Sequence, residues 1–129
     1  MLAHHDLRPA PVYVAEEDYD RLANLARGGR TAGARLLERE LERAVVLQPG
    51  EGPAQFVRLG STVSYRDLAS GEARRVELVA PDRADIDAGR LSVLSPVGAA
   101  LVGLCPGACF SWTGEDGRPR VVVVEAVAG

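Results

Sequence analysis

The six residues Gln48-Pro49-Gly50-Glu51-Gly52-Pro53 constrain this chain more than any others. Two prolines and two glycines so close together deny the backbone both helical and ladder hydrogen bonds, and the hydrophobic period changes across them. Upstream, Tyr19, Leu22, Leu25 and Ala26 recur at steps of three and four, and Leu37, Leu41, Ala44 and Val45 do the same. That spacing predicts two short amphipathic helices. Between them, Gly28 and Gly29 stop the first helix and Thr31 is placed to cap the second. So short a connection makes the helices antiparallel neighbours. Glu16, Glu17, Asp18 and Asp20 fall in the opening turns of the first helix, where carboxylates oppose the positive end of the helix dipole. Each apolar stripe is narrow, so the pair needs the rest of the chain or a partner to stay docked.

Downstream the pattern is that of strands divided by turns. Residues 62–66 and 74–79 flank Asp67-Leu68-Ala69-Ser70-Gly71-Glu72, a hairpin connection in which Gly71 supplies a positive φ. Further strands are expected at 90–94, 109–112 and 120–127, the last two joined through Gly114-Glu115-Asp116-Gly117. Ser95-Pro96 opens a short helix, since Ser is a preferred N-cap and the missing N–H of Pro needs no partner at the first helical position. Gly103 ends that helix, and Val97, Leu101 and Val102 face the sheet. The expected fold is therefore α+β: a short N-terminal antiparallel helical hairpin, then an antiparallel sheet carrying one short helix. Residues 1–48 form a tail and arm, 49–53 a linker, and 54–129 a unit that folds alone.

Composition narrows the function. With 47% hydrophobic and 26% charged residues the chain lies in the range of ordinary folded domains. A net charge of −3 removes the nonspecific grip on a phosphate backbone, so tight binding to free nucleic acid is not expected. No apolar run approaches bilayer length and the N-terminus lacks the pattern of a signal peptide, so a cytoplasmic monomer with no membrane contact is expected. All basic residues are Arg, which reads as the codon bias of a GC-rich genome. Cys105 and Cys109, with His4 and His5, have the residue types of a four-ligand zinc site. Their placement on a turn and in a tail reads instead as free thiols and a terminal segment, with no metal. Phosphate loop, nucleophile elbow and general-base histidine are all missing from the sequence, so no cofactor and no catalysis are expected.

Four blocks in order carry a family resemblance: Leu59-Gly60-Ser61-Thr62-Val63, Ser70-Gly71-Glu72, Val79-Ala80-Pro81-Asp82-Arg83-Ala84-Asp85, and the run from Ser92 to Gly103. Together they resemble the C-terminal domain of the bacterial GreA/GreB transcript-cleavage factors. The phrase from Ser95 to Leu104 resembles the Rnk subfamily, regulators of nucleoside diphosphate kinase, and the likeness runs from Val12 to Val127. The resemblance implies an FKBP-like C-terminal domain docking on core RNA polymerase, at the β′ subunit region rimming the secondary channel. It also implies a coiled-coil-like arm much shorter than that of the Gre factors. At the position of an acidic residue that helps Gre factors dock stands Leu94, and Ala108 replaces the Asp of a usual Gly-Asp.

Ser95, Pro96 and Val97 are accordingly expected to touch polymerase, although the capping pattern alone explains Ser95 and Pro96 structurally. Arg27, Arg30 and Arg35 decorate the hairpin tip, with no carboxylate between Asp20 and Glu38. They form either a solvated mixed-charge surface or a contact for an acidic partner. Gre factors stimulate cleavage through carboxylates at the arm tip that help hold a magnesium ion, so an arginine tip implies binding without cleavage. A different reading makes the chain a direct regulator of nucleoside diphosphate kinase, acting without polymerase. A third, a vestigial prolyl isomerase, lacks the aromatic cavity that activity needs, since aromatic residues are 5% of the chain.

Overall fold

The computed structural model describes residues 10–129. Strand β1 (Tyr13–Ala15) leads into helix α1 (Glu16–Gly28), and helix α2 (Ala32–Glu42) returns into strand β2 (Val45–Leu47). Glu16, Glu17 and Asp18 occupy the first turn of α1. Thr31 caps α2, its Oγ1 accepting from the Ala34 N–H at 3.1 Å. The remaining strands are β3 (Thr62–Asp67), β4 (Ala73–Val79), β5 (Arg90–Ser92), β6 (Cys109–Thr113) and β7 (Pro119–Ala128). Helix α3 (Pro96–Leu101) lies between β5 and β6.

Three expectations are corrected. The main sheet, in order β5-β4-β3-β7-β6, is mixed and not antiparallel, because β4 and β5 pair in parallel. Two 3-10 turns, Pro81–Arg83 and Ile86–Ala88, carry the chain back only as far as Glu77, opposite which Arg90 begins β5. Second, Ala44 and Val45 both lie beyond the α2 stripe, and Val45 belongs to a strand. α2 stops at Glu42, and β2 pairs with β1 in parallel, Tyr13 opposite Val45, so the helical hairpin is the crossover of a two-stranded ribbon. Three-residue strands leave too short an alternation to be read from sequence. β5 also ends at Ser92, two residues early, where the Ser92 hydroxyl accepts from the Leu94 N–H at 3.0 Å and turns the chain.

The sheet turns one face inward. Val63 and Tyr65 of β3, Val76 and Leu78 of β4, and Val122 and Val124 of β7 are buried, at the two-residue spacing of a strand. On β7 the next buried residue is Val127, not residue 126, because a bulge leaves Glu125 between the pairs Tyr65–Val124 and Ser64–Ala126. Glu125 instead points outward and pairs with Arg66 at 3.1 Å. Onto the inner face pack Ala99, Ala100 and Leu101 of α3, then Leu36, Leu37 and Leu41 of α2 and Leu22 and Ala26 of α1. One hydrophobic core thus includes residues from both sides of the Pro/Gly linker.

Three fastenings hold the hairpin against the sheet unit. At its entry the Tyr13 N–H donates to the Gly103 carbonyl at 2.9 Å, and a Cβ on Gly103 would lie 2.5 Å from Val12 Cγ1. Near its tip Gly33 meets the backbone before α3, where a Cβ would fall 1.9 Å from the Leu94 oxygen. Only a residue without a side chain permits that approach. The third is Arg58, which donates to Asp18 at 2.8 Å and to Glu17 at 2.7 Å. Those two carboxylates, Asp18 first, hold the guanidinium above its ordinary pKa.

Candidate functional site

The corner before α3 is built by hydrogen bonds. Ser95 Oγ accepts from the Gly98 N–H at 3.0 Å and donates to the Ser92 carbonyl at 2.7 Å. Gly98 is held so close that a Cβ would lie 2.0 Å from the Ser92 oxygen, which seats α3 on the end of β5. Pro96 then stands at the first helical position with its ring exposed, and Val97 is half-buried against the core. Of the three residues expected to touch a partner, Pro96 offers the free apolar surface, while Ser95 shapes the corner.

At the hairpin tip Arg27, Arg30 and Arg35 are all exposed. Arg27 donates to the side-chain oxygen of Asn24, and Arg35 Nη1 donates to the Arg30 carbonyl at 2.9 Å. The tip does not project away from the body. Gly29 and Gly33 bracket it against Leu94, with a Cβ on Gly29 falling 3.7 Å from Leu94 Cδ1. Leu94, standing where the Gre resemblance has an acidic residue, packs partly buried on the core beside the tip. Tip and corner are therefore one continuous surface.

That surface opens into a groove of ≈ 610 Å³. One wall is α2, contributing Arg35, Glu38 and Arg39; the other is the β6–β7 turn, contributing Glu115 and Asp116. Pro96 and Trp112 line it between those walls. Trp112 stacks with Phe110, ring centroids 6.1 Å apart, and the Arg120 guanidinium lies 5.7 Å from the Trp112 ring. Arg120 also approaches Asp67 at 3.5 Å. The groove thus joins two residues expected from sequence, Arg35 and Pro96, to Trp112, Arg39 and Arg120, which the sequence reading missed. The one tryptophan of the chain and the i, i+4 spacing of Arg35 and Arg39 were the available signals.

Cys105 and Cys109 are partly exposed free thiols, and burial raises the pKa of both, which disfavours the reactive thiolate. Among the described residues no group of three or more His, Cys, Asp or Glu is placed to hold a metal ion; His4 and His5 lie outside the described residues. Among those residues, too, no helix is long and apolar enough to cross a membrane.

Comparison with known proteins adds to this geometry. The family model "Transcription elongation factor, GreA/GreB, C-term" matches residues 52–128, and "Rnk N-terminus" matches residues 11–47. The regulator of nucleoside diphosphate kinase of Escherichia coli K12 is 36% identical over 104 residues, covering 78% of this chain and 76% of that protein. The transcription elongation factor GreA of Azorhizobium caulinodans is 32% identical over 123 residues, covering 95% of this chain and 74% of that protein. Among solved structures, a prokaryotic transcription elongation factor GreA/GreB from Nitrosomonas europaea superposes with a TM-score of 0.71 at 34% identity. That match covers 95% of this chain and all of the other.

Proposed function

The chain belongs to the GreA/GreB family, in the branch with an Rnk-type N-terminus, and from that membership we propose that it is a regulatory protein that binds core RNA polymerase without cleaving the transcript. In this reading the mixed sheet packed on α3 is the family's FKBP-like domain, and it docks at the rim of the secondary channel through the Ser95–Pro96–Val97 corner. The observation that carries the proposal is the tip of the hairpin. It presents Arg27 and Arg30, and it is packed against the Leu94 turn instead of extending from the body. Cationic side chains repel the divalent metal that cleavage needs, and α1, at 13 residues, is only about 20 Å long. A docked chain of this kind occupies the Gre position and modulates access to the channel.

Binding of the full chain to immobilised core polymerase, with and without a Gre factor, tests the docking. The parent should bind and should be displaced by the Gre factor. Pro96→Asp, which buries an unpaired charge in the contact, should bind at least about tenfold more weakly while keeping its fold. Equal binding by a folded Pro96→Asp variant removes the corner from the interface.

A second reading rests on the name of the Escherichia coli relative, a regulator of nucleoside diphosphate kinase. It makes the kinase itself the partner. Capture of purified kinase, in place of core polymerase, in side-by-side pull-downs would decide for it.

A further inference from the structure

We infer that Gly33 is a positioning residue for polymerase binding: it lets α2 buttress the Ser95–Pro96 corner from behind, so the hairpin sets the shape of the docking surface without touching the partner. This rests on the polymerase-binding reading above and gives the hairpin its part in it. The corner has an outer and an inner side. On the outer side stands the exposed ring of Pro96. On the inner side the backbone of α2 lies directly against the turn. A Cβ on Gly33 would fall 1.9 Å from the Leu94 oxygen and 2.8 Å from the carbonyl carbons of Leu94 and Ser95. Gly98 of α3 meets the same turn, where a Cβ would fall 2.0 Å from the Ser92 oxygen. Both glycines are buried within helices and neither has a positive φ. Glycine is a poor helix former, so close approach to the 92–95 turn, and not a left-handed backbone, is what these two positions require.

The turn held between the two helices is too stiff to absorb a push. The Ser92 carbonyl accepts from the Ser95 N–H at 3.0 Å and from Ser95 Oγ at 2.7 Å, and the Ser92 hydroxyl accepts from the Leu94 N–H at 3.0 Å. Tied in this way, the four residues move as a unit, and packed interiors transmit strain instead of yielding to it. A β-carbon on Gly33 would need about 1.5 Å more room to reach an ordinary contact of 3.4 Å. Retreat of α2 would remove the support behind the corner, and movement of the turn would carry Pro96 with it. Either way the corner loses its fit to a partner whose surface must match it at the packing density of a protein interior. In this chain the second arm helix serves as a buttress and not as a probe.

The test measures binding of the full chain to immobilised core polymerase, at a temperature where circular dichroism shows each variant fully folded. Gly33→Ala should bind about tenfold more weakly, although residue 33 is buried and offers a partner no surface. Leu22→Ala, a cavity at a core position of α1, lowers stability too but should bind like the parent. Amide NMR separates the two, since Gly33→Ala should shift the Leu94, Gly98 and Ala99 signals that Leu22→Ala leaves in place. Should Gly33→Ala not fold, Gly29→Ala is read instead with a smaller loss expected, because its Cβ meets Ala34 Cβ at 2.7 Å in the first turn of α2. A folded glycine variant that binds like the parent, beside a Pro96→Asp variant that does not, overturns the positioning role and leaves corner docking standing. Equal losses in the glycine and Leu22 variants overturn it as well, reducing the effect to stability. No binding by the parent overturns both readings.

Discussion

The helical hairpin and the sheet unit are stabilised in different ways. In the sheet unit, β3 and β7 lie at the centre of a five-stranded ladder, and each pairs on both sides. The ladders of those two strands close within the unit, and its inner face already gathers Val63, Leu78, Val122 and Val124 in one core with α3. The hairpin has helices of 13 and 11 residues, lengths at which isolated helices are marginal in water. It is held by what it touches: Gly103 at its entry, the Leu94 turn at its tip and Arg58 beside α1. The difference teaches that an arm of this length is stable only as part of the body, and that its orientation is set by glycine contacts.

Separation at the linker gives the largest expected contrast. A fragment of residues 54–129 should keep dispersed amide NMR signals at reduced stability, because the ladder is intact but the α3 face that receives α2 is uncovered. Residues 1–48 alone should lose nearly all helical circular dichroism. A helical 1–48 peptide, or a collapsed 54–129 fragment, would remove the asymmetry.

Next in size is Gly33→Ala. The added Cβ meets a backbone oxygen that cannot rotate away, and denaturant unfolding should show a loss of about 3 kcal/mol. Gly28→Ala is the matched control. No atom lies within 4 Å of a Cβ there, so the change should be neutral or stabilising by up to about 1 kcal/mol. Similar effects at both positions would show that the tip is not tightly docked.

The two helix caps sharpen the comparison at smaller scale. Ser95→Ala loses two hydrogen bonds at a partly buried corner and should cost about 2 kcal/mol, whereas Thr31→Ala, at an exposed cap, should cost about 1 kcal/mol. The reverse order in thermal melts would mean that the hairpin bears more of the stability than the corner.

Arg58→Gln should have the smallest effect, about 0.5–1 kcal/mol at low salt and less in 1 M salt, since Glu17 is well exposed and Arg58 and Asp18 are partly so. Its pKa is raised in the fold, so the guanidinium contributes fully below the ordinary arginine value and loses its contribution only above it. Arg58 itself therefore adds no titration near neutral pH, where salt is what reveals the link.

Local chemistry made the elements legible. The Thr31 and Ser95 caps, the positive φ of Gly71 (77°) and Gly103 (83°), and the change of period at the linker all announce themselves within a few residues. Non-local contacts did not. The parallel pairing of β4 with β5 depends on the path of the 81–88 turns, and the β1–β2 ribbon depends on the hairpin closing between its strands. At the site, Pro96 and Arg35 were visible as a helix start and a tip charge. That they face one groove with Trp112 and Arg120 follows from the packing of Gly33 on the Leu94 turn, and no residue spacing encodes that contact.

Transcript cleavage in backtracked elongation complexes is the most direct test of a docked arm with an arginine tip. Labelled RNA is followed after adding this protein alone, and then together with a Gre factor. The predicted result is no cleavage above the intrinsic rate with the protein alone, and slower Gre-dependent cleavage as its concentration rises. Stimulated cleavage by the protein alone would contradict it, because a tip of Arg27, Arg30 and Thr31 packed on the body would then have delivered a metal to the channel.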